Sequence, residues 1–232
     1  MSADPLPEWD RLLSSAARLQ HIVPSAVLVG GTAAALHARH RFSRDADHVV
    51  TDLQERFDGI LADLEQAAGW KTVRIRRPVM ILGSLDGIET GVRQLIREQP
   101  LETMQVDCKD QRVTVPTLAE ILRIKAVLIL KRNATRDYLD FVALADTMEA
   151  ADVVAALKTF DDLYPQPNGE SDLQQLQTQL AKPLPYDLEA TRLDEYKNLA
   201  PKWHEWSTVE AVAAGIAVLM LDHLDDSDPG GL

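Results

Sequence analysis

Residues 26–51 read AVLVGGTAAALHARHRFSRDADHVVT, and the order of the parts within this segment is the most informative feature of the sequence. The apolar run before Gly30 predicts a short buried strand that ends in a Gly-Gly turn. The alanine-rich residues that follow have high helix propensity, and Thr32 is the predicted N-cap of that helix. Residues 45–51 then predict a second strand.

Two acidic residues open the second predicted strand. Side chains alternate between the faces of a strand, so Asp45 and Asp47 are expected to point the same way. Two neighbouring carboxylates repel each other, and a shared divalent cation removes that cost. The turn at Gly30 and Gly31 offers backbone N–H groups to an anion at a helix start. Each feature alone also fits a plain turn or a solvated acid pair, and the order along the chain favours a binding site.

The remaining sequence changes character at Pro116. The predicted elements before it are helices over residues 7–22 and 52–68, strands over 72–76, 79–82 and 88–95, with the hairpin turn Asp86-Gly87 before the last, and two strands over 102–106 and 112–115 around a polar turn at 107–110. Everything after Pro116 has helical periodicity. This pattern predicts two domains, an α/β core over residues 1–116 and a helical domain over 117–232.

Charge divides the chain in a similar way. The 232 residues carry a formal net charge of −12. Residues 1–136 hold 19 basic and 17 acidic side chains, whereas residues 137–232 hold 5 basic and 19 acidic ones. A phosphate-bearing ligand is therefore expected on the first part of the chain, since the second would repel it.

The composition also predicts where in the cell the protein is found. No apolar run approaches the length of a transmembrane helix, and the N-terminal residues lack the basic start and apolar stretch of a signal peptide. The single cysteine, Cys108, excludes an internal disulfide and a cysteine-based zinc site. These features predict a cytoplasmic protein without membrane association.

The first motif resembles that of the AbiEii group of nucleotidyltransferase-fold toxins. Members of that group show Gly-Gly-Thr-Ala-x-Ala-Leu followed by His-Arg-x-Ser-x-Asp-x-Asp, and residues 30–36 and 40–47 match this pattern nearly residue for residue. A second, less specific resemblance covers residues 118–144, where Ile124-Lys125-Ala126 and Arg136-Asp137-Tyr138-Leu139-Asp140 match an Ala-x-Lys core and an Arg-Asp-x-x-Asp motif. Together the matches cover about residues 26–145.

The resemblance implies a fold and a set of site residues. The fold would be α+β, with a nucleotidyltransferase-like mixed sheet, flanking helices and an all-helical C-terminal half. Catalysis and Mg²⁺ binding would fall to Asp45, Asp47 and a third carboxylate, for which Glu89 ranks ahead of Glu102 and Asp107. The substrate-binding residues would be Gly30, Gly31, Thr32, Arg41, Ser43, Lys125, Arg132, Arg136 and Asp137, the last orienting Lys125 or one of the arginines.

The implied function is an Mg²⁺-dependent transfer of a nucleoside monophosphate from an NTP to a hydroxyl of RNA, such as a tRNA 3′ end, or of a protein. The protein would then be the toxin that pairs with an antitoxin. The alternative is a catalytically inactive nucleotidyltransferase fold that serves as a binding or regulatory module.

Several candidate residues also have a purely structural interpretation. Lys125 could extend along its helix to solvent, and Arg136, Asp137 and Asp140 could form an ion network on a helix surface. Without cysteines, the histidines His37, His40 and His48 make a poor zinc site. Trp203 and Trp206 are more typical of helix packing than of base stacking.

Overall fold

Alternating helices and strands give way to helices alone after Pro116. The computed structural model of the chain describes residues 7–108 and 111–224. The first part contains α1 (Pro7–Ile22), β1 (Val27–Leu28), α2 (Gly30–Ala38), β2 (Ala46–Val50), α3 (Leu53–Gln66), β3 (Trp70–Arg76), β4 (Met80–Leu85), β5 (Ile88–Gln94), β6 (Thr103–Cys108) and β7 (Gln111–Pro116). The second contains α4 (Leu118–Arg132), α5 (Thr135–Ala145), α6 (Ala150–Lys158), α7 (Phe160–Leu163), α8 (Asp172–Ala181) and α9 (Trp206–Leu224). The predicted α+β fold with an all-helical C-terminal half is confirmed.

Contacts divide the described residues into two units. The first unit combines the described residues up to Ala33 with Ser43–Thr117. The second combines Ala34–Phe42 with the described residues from Leu118 onward. Helix α2 therefore begins in one unit and ends in the other.

The first unit is organised around a five-stranded mixed sheet of strand order β1-β2-β5-β4-β3. Strands β2 and β5 run parallel, with Asp47 opposite Gly91, whereas the other neighbours are antiparallel. The predicted hairpin turn joins β4 to β5, and its residues Asp86 and Gly87 have positive φ values of 55° and 81°. These backbone angles are those of the two-residue turns that connect tightly paired strands.

One face of this sheet is buried against helices α1 and α3. Trp70, Ile81 and Val92 on the sheet belong to the same apolar core as Leu19 of α1 and Phe57 of α3. Burying each such side chain contributes about 1.5–3 kcal/mol, so this layer stabilises the unit strongly. The opposite face is left for polar groups, among them Asp47.

The predicted turn at 107–110 is wrong at its first residues. Strand β6 continues through Asp107 to Cys108, and Asp107 lies opposite Arg112 of β7. The Arg112 Nε donates to Asp107 Oδ1 at 2.9 Å, so this ion pair extends the antiparallel ladder beyond the predicted strand end. Residues 109–110 lie outside the described part of the chain.

Gly91 is placed where a side chain has no room. A Cβ at this position would lie 2.5 Å from the carbonyl oxygen of Ile81 and 2.6 Å from a methyl group of Leu82. We expect Gly91→Ala to lower the free energy of unfolding by about 1–3 kcal/mol, as overpacking does. Gly59→Ala in α3, where the added Cβ meets nothing within 4 Å, should be neutral or stabilising. Urea unfolding of both variants measures the difference, and equal effects would contradict the close approach.

His48 lies in the middle of β2 and is fully buried. Burial disfavours the imidazolium ion and lowers the pKa of His48 from 6.5 to about 4. The unfolded chain therefore binds a proton between these values that the folded chain does not. The contribution of neutral His48 to stability is complete above pH 6.5 and is lost as the pH falls toward 4.

A variant without a histidine at position 48 should lose this part of the pH dependence. We expect wild-type protein to lose about 2–3 kcal/mol more than His48→Leu between pH 7.5 and 4.5, at 1.36 kcal/mol for each unit of pKa shift that is crossed. Each protein is compared with itself at the two pH values, so any constant packing effect cancels. The free energy of unfolding is measured with urea at both pH values. An equal change with pH in the two proteins would show that the protonation of His48 does not change on unfolding.

Candidate functional site

The acid pair lies at the start of β2, on the face away from the apolar core. Along residues 45–50, partly exposed and buried positions alternate strictly, with Asp45, Asp47 and Val49 on the partly exposed side. The buried positions are Ala46, His48 and Val50. Both carboxylates are therefore placed on one face of the sheet, where a ligand can reach them.

The N-terminus of α2 lies beside this pair. Gly30 has a φ of 71°, and a Cβ there would lie 3.7 Å from Asp47 Oδ2, so the helix start approaches the carboxylate closely. The backbone N–H of Val29 donates to the Asp47 carbonyl at 2.8 Å. The partial positive charge of a helix N-terminus attracts anions, so this arrangement offers both a cation site and an anion site.

Thr32 has a different role from the predicted one. The helix begins at Gly30, so Thr32 lies within its first turn rather than at the N-cap. Its hydroxyl donates to the carbonyl of Asp45 at 2.6 Å. Thr32 therefore ties the helix to the strand that carries the acids.

The strand register distinguishes the three candidates for a third carboxylate. Thr90 lies opposite Ala46 and Gly91 opposite Asp47, so Glu89 points to the same face as Asp47. Glu102 precedes β6 and Asp107 lies within it, in the separate two-stranded sheet. Within residues 7–108 and 111–224, no three His, Cys, Asp or Glu side chains are already grouped as metal ligands. The carboxylates of Asp45 and Asp47 are nevertheless the oxygen ligands that Mg²⁺ prefers.

A basic side chain also approaches the acid pair. The Nε of Arg93 on β5 lies 3.8 Å from Asp47 Oδ1, and both side chains are about two-fifths exposed. The Nη1 of Arg93 contacts the sulfur of Met80 at 2.9 Å. The sequence motifs gave no signal for Arg93, because its proximity depends on the parallel pairing of β2 with β5.

A second group of functional candidates forms a buried ionic cluster within the other unit. We call it the Asp140 cluster, and it consists of His40, Arg41, Lys125, Asp137 and Asp140. The Asp140 carboxylate accepts from Arg41 Nε at 2.6 Å, Arg41 Nη2 at 2.8 Å, His40 Nε2 at 2.7 Å and Lys125 Nζ at 2.6 Å. The cluster thus joins the segment after α2 to helices α4 and α5.

The two aspartates of the cluster differ in their electrostatics. Burial favours the neutral form of Asp140, but Arg41 and Lys125 outweigh it and hold the pKa of Asp140 well below its usual value. Burial instead raises the pKa of Asp137. The charges of Lys125 and Arg132 oppose this rise only in part. Lys125 Nζ lies 3.6 Å from Asp137 Oδ1, and neither carboxylate oxygen of Asp137 has a hydrogen-bond partner in the described part of the chain.

The other predicted substrate-binding residues fall into two classes. Arg132, at the end of α4, and Arg136, in the first turn of α5, are exposed and free to meet a ligand. Ser43 is buried in the first unit. The structural interpretation of Lys125 as a side chain that reaches solvent is wrong, because it is 3% exposed and paired with Asp140.

Some predicted alternatives are settled by burial. A surface ion network does not describe Asp137 and Asp140, which are fully buried. His40 bonds to Asp140 and His48 lies inside the sheet, so neither is arranged for zinc. Trp203 is buried, and the Trp206 ring meets Tyr138 edge-on at 6.1 Å, as in helix packing.

The sequence motifs did not identify the role of Asp140. The Arg-Asp-x-x-Asp motif contained this residue, but its partner Arg41 is 99 positions away in the chain. The signal that could have found the pair is the coincidence of an unusually basic connecting segment and a second acid one helical turn after Asp137.

Comparison with protein families gives a match over most of the chain. The model of the family described as "Nucleotidyl transferase AbiEii toxin, Type IV TA system" matches residues 11–214. A solved structure of a protein from H. pylori, assigned to the nucleotidyltransferases, is 15% identical with a TM-score of 0.54, and the match covers 96% of this chain and 97% of that one. The structure of ANT(2″)-Ia with adenylyl-2″-tobramycin is 12% identical with a TM-score of 0.50, covering 66% of this chain and 97% of that one. At these identities the structures show a shared fold.

Curated relatives match a shorter stretch. The heme uptake protein MmpL11 of Mycobacterium tuberculosis is 35% identical over 129 residues, which is 54% of this chain and 13% of that protein. The mycolic acid-containing lipids exporter MmpL11 of Mycolicibacterium smegmatis is 32% identical over 129 residues, again 54% and 13%. The chain thus spans a small fraction of the length of these relatives. Among the described helices, none combines the length and apolar character needed to cross a membrane.

Paired substitutions in the Asp140 cluster test its electrostatics. Asp140→Asn leaves two buried cations without their carboxylate, and we expect a loss of about 3–5 kcal/mol in the free energy of unfolding. Asp137→Asn, one helical turn away, removes a charge that burial disfavours and should cost less than about 1 kcal/mol. Chemical denaturation at pH 7 measures both. Equal losses would contradict the assignment of Asp140 as the charged centre.

Proposed function

The chain belongs to the AbiEii family of nucleotidyl transferase toxins of type IV toxin–antitoxin systems, and we propose that it transfers a nucleoside monophosphate from an NTP to a hydroxyl group of RNA or protein. RNA, and in particular a tRNA 3′ end, is the acceptor that we favour. We further propose that the reaction depends on Mg²⁺, that the protein acts in the cytoplasm and that a cognate antitoxin binds it.

The observation that carries this proposal is the pairing of two carboxylates with a helix N-terminus. Asp45 and Asp47 share one face of the sheet, and Gly30 brings the start of α2 to within van der Waals distance of Asp47. A triphosphate bound with its metal ion needs anionic ligands for the cation and N–H donors for the phosphate oxygens. The first unit supplies both, from residues 30–32 and 45–47.

The residues around the acid pair would have different roles in binding the metal ion and the phosphates. Asp45 and Asp47 would hold Mg²⁺, with Glu89 as the third carboxylate on the same face of the sheet. When bound, Mg²⁺ would neutralise phosphate charge and lower the pKa of the acceptor hydroxyl. The backbone of Gly30, Gly31 and Thr32 would hold phosphate oxygens.

The transfer itself is a substitution at phosphorus. The acceptor hydroxyl oxygen forms a bond to the α-phosphorus of the NTP while the bond from that phosphorus to the bridging oxygen of pyrophosphate breaks. The hydroxyl proton is released, and pyrophosphate leaves with the electron pair of the broken bond. Positioned donors accelerate such a step because the leaving group gains charge.

The basic residues of the second unit are assigned by resemblance and by exposure. Arg132 and Arg136 are exposed, and we propose that they contact the phosphates of the substrate. Lys125 is buried beside Asp137 and Asp140, so it would act by positioning α4, the helix that carries Arg132, rather than by contact with a phosphate. Arg41, which is bonded to Asp140, would act by holding the segment that leads to Ser43 in place.

Removal of one carboxylate tests the proposal. We expect Asp47→Asn to reduce Mg²⁺-dependent pyrophosphate release by at least 100-fold, in line with the loss of a charged group that stabilises the transition state. Its melting temperature without Mg²⁺ should equal or exceed that of wild type, because the repulsion from Asp45 is gone. The assay uses each of the four NTPs with total cellular RNA, and with total cellular protein in a separate series.

Asp63→Asn is the matched control, since Asp63 is an exposed acid on α3 of the same unit. This variant should retain wild-type turnover. An Asp47→Asn variant as active as the control would remove the acid pair from the mechanism. Wild-type protein that binds NTP but releases no pyrophosphate with either acceptor pool would instead support the inactive binding module.

A further inference from the structure

One face of the five-stranded sheet carries acids at one side and bases at the other. The register aligns Asp47 of β2, Gly91 of β5, Leu82 of β4 and Arg74 of β3 in one row across the sheet. Residues that lie directly opposite each other in a sheet point to the same face. Arg74 therefore shares the face of Asp47, three strand spacings away, which corresponds to about 14 Å at 4.7–4.9 Å per strand.

Two further bases of β3 point to this face because of an irregularity in the strand. The register shifts between Thr72 and Arg74, so that Val73 is the extra residue of a bulge. Lys71 lies opposite Ser84 before the bulge, and Arg76 lies opposite Met80 after it. Without the bulge, Lys71 would share a face with Val73 rather than with Arg74.

We name Lys71, Arg74 and Arg76 the basic strip. All three side chains are exposed, and none has a carboxylate partner within the described part of the chain. The hairpin residues 70–85 contain four basic and no acidic residues, although the protein carries a net charge of −12. The fourth base, Arg77, is instead directed to Asp58 and to the ring of Phe57 on α3.

Strand β4 separates the basic strip from the acids with uncharged side chains. Ser84 and Leu82 are partly exposed, and Met80 is nearly buried. Arg93 of β5 also points to this face, where it lies beside Asp47. Apart from this pair, the side chains on the face change from acidic at Asp45 and Glu89, through uncharged on β4, to basic at the free edge of the sheet. A polyanion would be repelled at the first end and attracted at the last.

We infer that the basic strip binds the phosphate backbone of a single-stranded RNA whose terminal hydroxyl lies at Asp45 and Asp47. The position of the hydroxyl rests on the proposed function, whereas the binding of the backbone rests on the charges of β3. From a hydroxyl at the end of an RNA strand, the phosphates of the backbone extend in one direction only. These phosphates would lead away from the acids, over Leu82, to the cations about 14 Å distant.

RNA fits this surface better than an acidic protein segment does. The cations are separated from the acid pair by more than the length of one phosphate group, so a ligand must present a hydroxyl at one end and anions further along. Leu82, which is partly exposed, offers apolar contact to the sugar and base that lie between. A nucleic-acid strand supplies these groups in that order, and its affinity should depend steeply on salt.

The test compares two triple variants of equal charge in the full chain. The first is Lys71→Ala/Arg74→Ala/Arg76→Ala. The control is Arg56→Ala/Arg77→Ala/Arg112→Ala, which removes three bases that face Asp52, Asp58 and Asp107. The probe is a fluorescein-labelled 16-nucleotide single-stranded RNA of mixed sequence with a free 3′ hydroxyl. Fluorescence anisotropy gives Kd from 25 to 200 mM KCl, and NTP binding and thermal unfolding of each variant are measured alongside.

We expect the basic-strip variant to weaken RNA binding at least tenfold at 50 mM KCl, with NTP binding and melting temperature unchanged. The slope of log Kd against log salt should fall by about 2, since each of three lost contacts contributes about 0.7 on a single strand. The control should stay within threefold of wild type.

Three outcomes would overturn the inference. They are equal losses in the two variants, unchanged RNA binding in the basic-strip variant, and wild-type protein that binds a polyglutamate peptide but no RNA. The proposed transfer reaction is judged separately. If wild-type protein releases no pyrophosphate but its RNA binding is weakened by the basic-strip substitutions, the RNA-binding surface is supported and the proposed reaction is wrong.

Discussion

The carboxylate of Asp140 holds together three parts of the second unit that are far apart in the chain. Four donors from His40, Arg41 and Lys125 fill its lone pairs, and none of these side chains is more than slightly exposed. The segment that it anchors is also fixed by backbone bonds from Phe42 to the Lys197 carbonyl and from Ala200 to the His40 carbonyl. Two residues, Ser43 and Arg44, connect this anchored segment to Asp45 in the sequence.

Local patterns in the sequence predicted most of the secondary structure, because the periodicities of helix and strand are local properties. They could not predict that β2 pairs with β5 in parallel, since that contact joins residues more than forty positions apart. The nearness of Arg93 to Asp47 and the shared face of Asp47 and Glu89 both follow from this pairing. The extension of β6 through Asp107 was missed for the same reason, since it depends on a partner in the opposite strand.

The Asp140 cluster shows why residue type alone does not assign a role to a charged side chain. Asp137 and Asp140 lie one turn apart on α5, both are buried, and both face Lys125. Of the two acids, only Asp140 accepts hydrogen bonds from Arg41 and His40, and these bonds together with the charges of Arg41 and Lys125 lower its pKa, whereas burial raises the pKa of Asp137. Sequence motifs recorded the two acids as equivalent members of one pattern. The three-dimensional arrangement favours the charged form of Asp140 and disfavours the charged form of Asp137.

The parallel pair β2–β5, extended by the β5–β4–β3 meander, has a geometric consequence. Hydrogen bonding fixes the interval between neighbouring strands, so the separation of Asp47 from Arg74 across the sheet is three of these intervals. Side-chain substitutions on β2 or β3 change the charges there but leave the spacing of the strands unchanged. Changes in the turns that connect the strands also leave this spacing unchanged. For the RNA strand inferred above, the number of strands between β2 and β3 sets the spacing between the acid pair and Arg74, and one strand more or fewer would suit a ligand of another length.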